Sequence, residues 1–222
     1  MANGNSPPAA SPTIIAALLG LTFVTGIIDA VSLLSLGHVF VANMTGNVVF
    51  LGFALAHQGD TQVTMVLTSL LAFVVGALAG GKFGTPARLP RGFGLEFGVL
   101  ILASALASAL PATTAASYFL VATLALAMGI RNALVRALAI PDMTTTVLTM
   151  AITGLAADST LVGGHNQRWE RRALAVSALM GGALSGALLL AHASRLVIPV
   201  SAMIELLAVA ALLKGLGASR AA

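Results

Sequence analysis

Long apolar runs separated by short polar breaks dominate the chain, and they predict membrane-spanning helices. A helix needs about 20 mostly apolar residues to cross a bilayer. The runs that reach or approach this length are residues 13–36, 63–83, 93–110, 115–138, 172–192 and 196–213. Two shorter apolar runs, 44–56 and 143–157, would be about 20 Å long as helices, less than the ~30 Å hydrocarbon core. The pattern therefore predicts an all-α, polytopic helical membrane protein.

The positions of the lysines and arginines distinguish two topologies. If all eight runs cross the membrane, the basic loop residues divide evenly between the two sides. If the two short runs are instead re-entrant half-helices, one side collects Lys82, Arg88, Arg91, Arg136, Arg168, Arg171, Arg172, Lys214 and Arg220. Arg195 then lies opposite, and Arg131 lies within a helix. Cytoplasmic loops are enriched in Lys and Arg, so we favour six spans plus two half-helices, with both termini cytoplasmic. Eight spans remain the alternative.

Two halves of the chain share three motifs in the same order. GIIDA at 26–30 matches GIRNA at 129–133, NMTGNV at 43–48 matches DMTTTV at 142–147, and GALAG at 76–80 matches GALSG at 182–186. Halves 13–110 and 115–213 would each hold three spans, and an odd number gives them opposite orientations. This is the inverted repeat of many transporters and channels. We expect residues 1–12 to be a disordered tail and 214–222 a cytoplasmic tail.

The composition excludes several classes of protein. Of 222 residues, 58% are apolar and 8% are charged, whereas soluble domains carry about 25% charged residues. Cysteine is absent, which excludes a thiolate metal site and a cysteine nucleophile. The sequence contains no phosphate-binding loop, hydrolase elbow or HExxH motif. We therefore expect no enzymatic activity, no cofactor or metal, and no nucleic-acid partner, with the lipid bilayer as the surroundings of the chain.

Charged residues inside apolar runs are the first candidates for function, because they are costly in a membrane. Asp29 lies in the first span, and its counterpart in the repeat is Asn132, next to Arg131. Asp29 and Arg131 could meet as a binding or proton-coupling pair, or as a structural ion pair; alternatively, Arg131 could snorkel to the surface. Glu205 is a second candidate proton site. Glu96 is expected at a helix start near the cytoplasm, complementing the helix dipole.

The polar hinges before the two short runs are the second group of candidates. We predict that they line a pocket or pore with Asn43, Thr45, Asn47, Asp142, Thr144 and Thr146. Asn, Asp and Thr are good helix N-caps, and a helix N-terminus suits an anion or polar solute. Irregular backbone at membrane depth persists only where protein or a water-filled cavity surrounds it. The alternative is helix capping without any ligand.

Paired glycines predict close helix packing. Gly76 and Gly80 in the first half, and Gly182 and Gly186 in the second, form small-xxx-small faces. Such faces can pack within the fold or against a second copy of the chain, as a homo-oligomer. The segment RWERR at 168–172 is expected to be an anchor at the membrane interface.

The run 26–47 carries a resemblance to a known family. Its pattern, GxxDAxSxLxLGxVFxANMTGN, resembles the YoaK-like family of uncharacterised bacterial membrane proteins. The resemblance is sharpest at Asp29-Ala30 and at residues 42–47. It implies a bacterial multi-pass protein of the inner membrane.

Two functional hypotheses follow from the sequence. The inverted repeat, the polar hinges and the charges within the membrane suggest a small-solute transporter or channel, with its site between the two half-helix tips. The alternative is a non-catalytic assembly factor or partner subunit, for which the glycine faces would matter more than the hinges.

Overall fold

The computed structural model describes residues 11–58, 62–111, 113–141, 145 and 148–221, and these form helices joined by short loops. The helices are α1 (Pro12–Ser35), α2 (Met44–Leu55), α3 (Val63–Gly81), α4 (Leu89–Ala109), α5 (Thr114–Leu138), α6 (Thr149–Ala157), α7 (Trp169–Ala193) and α8 (Val197–Ala221). The fold class predicted from the sequence is confirmed. Helix α8 continues to Ala221, so most of the segment that we expected to be a tail is helical.

The six longer helices are the predicted spans. Helices α1, α3, α4 and α5, together with the continuous stretch Trp169–Ala218, are long and apolar enough to cross a membrane. That stretch contains two antiparallel helices, because α7 and α8 run in opposite directions along α1. Phe23 and Ile27 of α1 lie against Gly182 and Gly186 of α7, in parallel order. By contrast, α1 and α8 meet in antiparallel order, with Gly20 against Ala208 and Ile14 against Gly215.

Each of the two short helices enters and leaves the bundle at one end, and the two helices lie at opposite ends. Helix α2 has 12 residues and α6 has 9, giving lengths of about 18 and 14 Å. Helix α2 connects the end of α1 to the start of α3 and packs on α3, whereas α6 connects the end of α5 to the start of α7 and packs on α7. Neither helix is long enough to cross the ~30 Å hydrocarbon core. The topology of six spans plus two half-helices is therefore the one observed.

The repeat is visible in equivalent contacts made by equivalent residues. A Cβ atom added at Gly182 would lie 2.0 Å from the carbonyl oxygen of Phe23, and one at Gly76 would lie 2.1 Å from that of Leu126. Phe23 precedes Gly26 by three residues, as Leu126 precedes Gly129. The same glycine face thus packs on the same position of the partner helix in both cases, in the two orientations of an inverted repeat.

This packing exchanges helices between the halves. Helix α1 of the first half packs against α7 of the second, and α5 of the second half packs against α3 of the first. The glycine faces at Gly76, Gly80, Gly182 and Gly186 are therefore occupied within one chain. Packing within the fold is therefore the alternative that the structure shows for these faces, and a homo-oligomer stays a prediction.

The ends of the bundle differ in charge as the six-span topology requires. Lys82 follows α3, Arg88 and Arg168 precede α4 and α7, and Arg136 lies in the last turn of α5, all at one end of the bundle. Arg195 lies at the opposite end, between α7 and α8. We refer to this as the Arg195 end, and to the other as the basic end.

We predict that Gly182→Ala destabilises the protein by about 1–3 kcal/mol or more, because overpacking a close contact forces the backbones apart. Gly181→Ala is the matched control, since its added Cβ would lie 3.5 Å from the Phe23 ring, an ordinary contact. Thermal unfolding of both purified variants in detergent measures the difference. Equal melting temperatures would show that the α1–α7 packing is not as described.

Candidate functional site

A fully buried arginine joins four of the spans at the centre of the bundle. The Nε atom of Arg131, on α5, donates to Glu96 Oε1 on α4 at 2.5 Å, and its Nη2 donates to Glu205 Oε2 on α8. Its Nη1 donates to Thr25 Oγ1 at 3.2 Å and to the Leu21 carbonyl oxygen at 3.3 Å, both on α1. Arg131, Glu96 and Glu205 have no solvent exposure. We call these three residues the ion triad.

The ion triad contains two acids and one base. Helices α4 and α8 are the third spans of their halves and pack against each other, which brings Glu96 and Glu205 to the same arginine. Arg131 itself has no charged counterpart, because the equivalent position in α1 is Ile28. Each glutamate has one buried oxygen without a hydrogen-bond partner among the described residues, Glu96 Oε2 and Glu205 Oε1. The cluster is therefore incompletely satisfied by the protein alone.

The structure corrects three predictions about charged residues. Asp29 does not pair with Arg131; its Oδ1 instead accepts from the backbone N–H groups of Val41 at 3.0 Å and Ala42 at 2.9 Å. Arg131 does not snorkel, because its guanidinium is held inside the bundle. Glu96 does not complement the start of a helix, since it lies two turns into α4 and is buried. Asp29 thus anchors the loop between α1 and α2.

The first polar hinge is held together by its own side chains. Asn43 caps α2, accepting from the Gly46 backbone N–H at 3.4 Å. Asn47 is buried; its Oδ1 accepts from the Phe40 N–H at 2.8 Å and its Nδ2 donates to the Phe40 carbonyl at 2.6 Å. Asn47 Nδ2 also donates to Ser69 Oγ on α3 at 3.1 Å. Thr45 is exposed. These contacts fix α2 to the loop and to α3, and they favour the capping interpretation for Asn43 and Asn47.

The second hinge falls largely outside the described residues, including the predicted site residues Asp142, Thr144 and Thr146. Asn132, the counterpart of Asp29, is half-buried and donates from Nδ2 to the Met128 carbonyl at 2.8 Å. The proposed role of these four residues in a pocket or pore stays a prediction.

Helix α6 is fixed by an arginine of the RWERR segment. The Nη1 atom of Arg172 lies 2.6 Å from Asp158 Oδ2, just after α6. A Cβ atom added at Gly154 of α6 would lie 2.5 Å from Arg172 Cζ, so the guanidinium packs on the helix backbone. The segment that we expected to be an interface anchor therefore also holds the half-helix in place. Trp169 begins α7 and is half-exposed.

A vestibule of about 680 Å³ opens at the Arg195 end. Its walls come from both halves: the ends of α1, α4 and α7 and the starts of α3, α5 and α8. Its polar lining residues are Ser35, His38, Gln62, Thr113, Thr114, Ser117, Ser194 and Arg195. None of the predicted pore-lining residues that the structure describes contributes to this vestibule, which lies at the mouth of the bundle.

Apolar packing closes both sides of the ion triad. Leu120 at the vestibule precedes Arg131 by about 16 Å along α5, and buried Leu124 and Met128 lie between them. Towards the basic end, a second buried cluster packs Leu18, Phe93, Leu134 and Leu212 together, among others. The ion triad therefore lies in the interior, between the vestibule and a packed seal. Among the described residues, no cluster of three His, Asp or Glu side chains could hold a metal ion.

These features define a class: a polytopic helical membrane protein with inverted halves, two half-helices and a charged cluster at its centre. Residues 17–212 match the family described as "Protein of unknown function (DUF1275)", and the chain belongs to that family. It is similar to the "UPF0700 transmembrane protein YoaK" of Bacillus subtilis (strain 168), with 33% identity over 152 residues. That alignment covers 64% of this chain and 65% of the relative. The expected YoaK-like family is thus confirmed. No solved structure matches the chain significantly.

We predict that Asp29→Ala loosens the loop after α1, because two backbone N–H groups lose their acceptor, at a cost of about 1–3 kcal/mol for each buried group. Asp29→Asn is the matched control, since its amide oxygen can still accept both hydrogen bonds. Hydrogen exchange of a peptide covering residues 37–47 measures the change. If this peptide exchanges as fast in the Asn variant as in the Ala variant, the negative charge of Asp29 stabilises the loop, and the hydrogen-bond acceptor alone does not.

We predict that Arg131→Gln destabilises the protein by about 3–5 kcal/mol, because it leaves two buried carboxyl groups without their base. Arg136→Gln is the control, since Arg136 lies five residues further along α5 and is exposed. Thermal unfolding and the yield of monodisperse protein in detergent are the measurements. Neutralising Glu96 and Glu205 as well, with Gln at both positions, should recover part of the loss; wild-type stability of Arg131→Gln alone would contradict the ion triad.

Proposed function

We propose that the protein is a small-solute transporter of the bacterial inner membrane that works by alternating access, with both termini cytoplasmic. The observation that carries this proposal is the vestibule, which opens at one end between helices of both halves and stops above a packed seal. In inverted-repeat transporters, the two halves move relative to each other around a site near the middle of the membrane. The proposal includes no enzymatic step and needs no cofactor.

The difference between the two ends supports a transporter more than an open channel. The halves have equivalent packing, so the same helices could enclose a cavity at either end. In this structure the Arg195 end holds the vestibule, while the equivalent space at the basic end is filled by the apolar cluster around Phe93 and Leu134. Exchanging the conformations of the two halves would close the first cavity and open the second.

The size and lining of the vestibule indicate the class of solute. About 680 Å³ lies within the range of roughly 300–1,000 Å³ for small-molecule pockets. Hydroxyl, amide and imidazole groups line it, and its formally charged lining residue is Arg195. This lining favours a small anion or a neutral polar solute over a cation. The excess of basic residues at the other end supports a cytoplasmic position for that end, so solute would enter the vestibule from outside.

We predict that Ser117→Cys reacts with a charged, membrane-impermeant thiol reagent added from outside the cell, because Ser117 lines the vestibule. The chain has no native cysteine, so the label reports this position alone. Thr123→Cys, on the same helix but outside the vestibule, is the control and should stay unlabelled.

The same variants test transport. Proteoliposomes are screened for uptake of small anions, organic acids and neutral polar solutes, and labelling at Ser117→Cys should block the uptake found. Absence of uptake for every solute class, or uptake that labelling leaves unchanged, would contradict the proposed function.

A further inference from the structure

We propose that Glu96 and Glu205 share one proton, so that the ion triad is a proton-binding site at the centre of the protein. The binding of this proton follows from the geometry of the cluster. Its use, as the ion that drives solute movement, rests on the proposed function.

The arrangement of the acids around Arg131 is the first argument. Arg131 donates to Glu96 from Nε and to Glu205 from Nη2, and these two nitrogens lie on the same edge of the planar guanidinium. That edge ordinarily accommodates the two oxygens of one carboxylate. Here it holds oxygens from two different carboxyl groups, which are thereby brought side by side. Two carboxylates that share a site repel each other, and one of them then retains a proton.

The charge balance is the second argument. With both acids ionised, the ion triad carries a net charge of –1 in a region without solvent exposure, where an uncompensated charge is costly. One proton makes the cluster neutral. It also explains the two buried oxygens that lack partners, Glu96 Oε2 and Glu205 Oε1, because a protonated carboxyl group can donate to the neighbouring carboxylate.

Among the side chains that the structure describes, no other titratable group faces the cluster from the helices packed around it. Helix α1 presents Thr25 and the Leu21 carbonyl, and its acid, Asp29, is engaged by the loop. Arg91 on α4 is exposed. Tyr118 and Arg136 on α5 lie more than a turn away from Arg131, as Lys214 on α8 does from Glu205. Helix α3, which packs on α5, has no titratable side chain. The charge of the cluster must therefore be balanced from within it.

A proton fits this site better than a metal cation. Hard cations such as Ca²⁺ and Mg²⁺ take about six or more oxygen ligands, whereas the cluster offers two oxygens that are not already bonded. A proton needs only one donor oxygen and one acceptor. If α4 and α8 separate as the halves move, each carboxyl group gains access to water. The proton then leaves to water, and Arg131 remains paired with one carboxylate.

The test is infrared spectroscopy of the purified protein in lipid vesicles at neutral pH. The carbonyl stretch of a protonated carboxyl group reports the proton directly. The wild type should show one protonated carboxyl group per chain. Glu96→Gln and Glu205→Gln should each show none, because the remaining glutamate then forms a balanced pair with Arg131. Asp29→Asn is the control and should keep the band. Both single glutamate variants leave Arg131 paired, so they are expected to fold.

Three results would overturn this inference: no protonated carboxyl band in the wild type, a band that persists in both glutamate variants, or a band that sodium ions remove at constant pH. The measurement is independent of transport. If the protonated carboxyl band appears as predicted but the protein moves no solute, the proposed function is refuted and the proton site is not. Solute uptake without the band would refute the proton site alone. Uptake that follows an imposed pH gradient, and loses this dependence in Glu205→Gln, would establish the coupling.

Discussion

One buried arginine, Arg131, contacts two glutamates from two other helices in the centre of the bundle. Arg131 cannot be left alone in a membrane interior, so α4 and α8 must each bring a carboxyl group to it and α1 must supply a hydroxyl and a carbonyl. Four of the six spans are thereby fixed in rotation and in depth. A purely apolar contact could slide along or around the helix axis, whereas these hydrogen bonds cannot do so without exposing a charge to hydrocarbon.

The glycine faces complement this polar centre. Gly182 on α7 lets α1 approach until the two backbones are in contact, and Gly76 on α3 does the same for α5. Helices commonly pack in this way in membranes, where the hydrophobic effect contributes little to their association. Because the first span of each half packs against the other half, neither half forms a complete packed unit by itself. A movement of one half must then carry a helix pair made from both halves, and α4 meets α8 across the boundary between the halves at the ion triad.

The described polar residues around the half-helices make local contacts. Asn47 and Asp29 form hydrogen bonds with backbone groups of the loop between α1 and α2. Arg172 holds α6 through its ion pair with Asp158. The observed vestibule lies at the mouth of the bundle, lined by the ends of the long helices. The first half-helix packs on α3, and the polar residues around it stabilise backbone that would otherwise be unsatisfied in a membrane.

The sequence predicts the membrane class and favours six spans, two half-helices and an inverted repeat, because apolar length, the positions of lysines and arginines, and motif order can all be read along the chain. It also identified Arg131 and Glu205 as unusual, since a charge in an apolar run is visible without a fold. Only the tertiary structure decided which charges meet. The repeat predicts Asp29 as the partner of Arg131, yet Asp29 accepts from backbone N–H groups of the following loop. The partners of Arg131 are Glu205 and Glu96, and Glu96 is the acid that the sequence pattern places at a helix start. Sequence could not show this, because the rotation of α4 and α8 about their axes is set by packing between helices and not by any pattern within them.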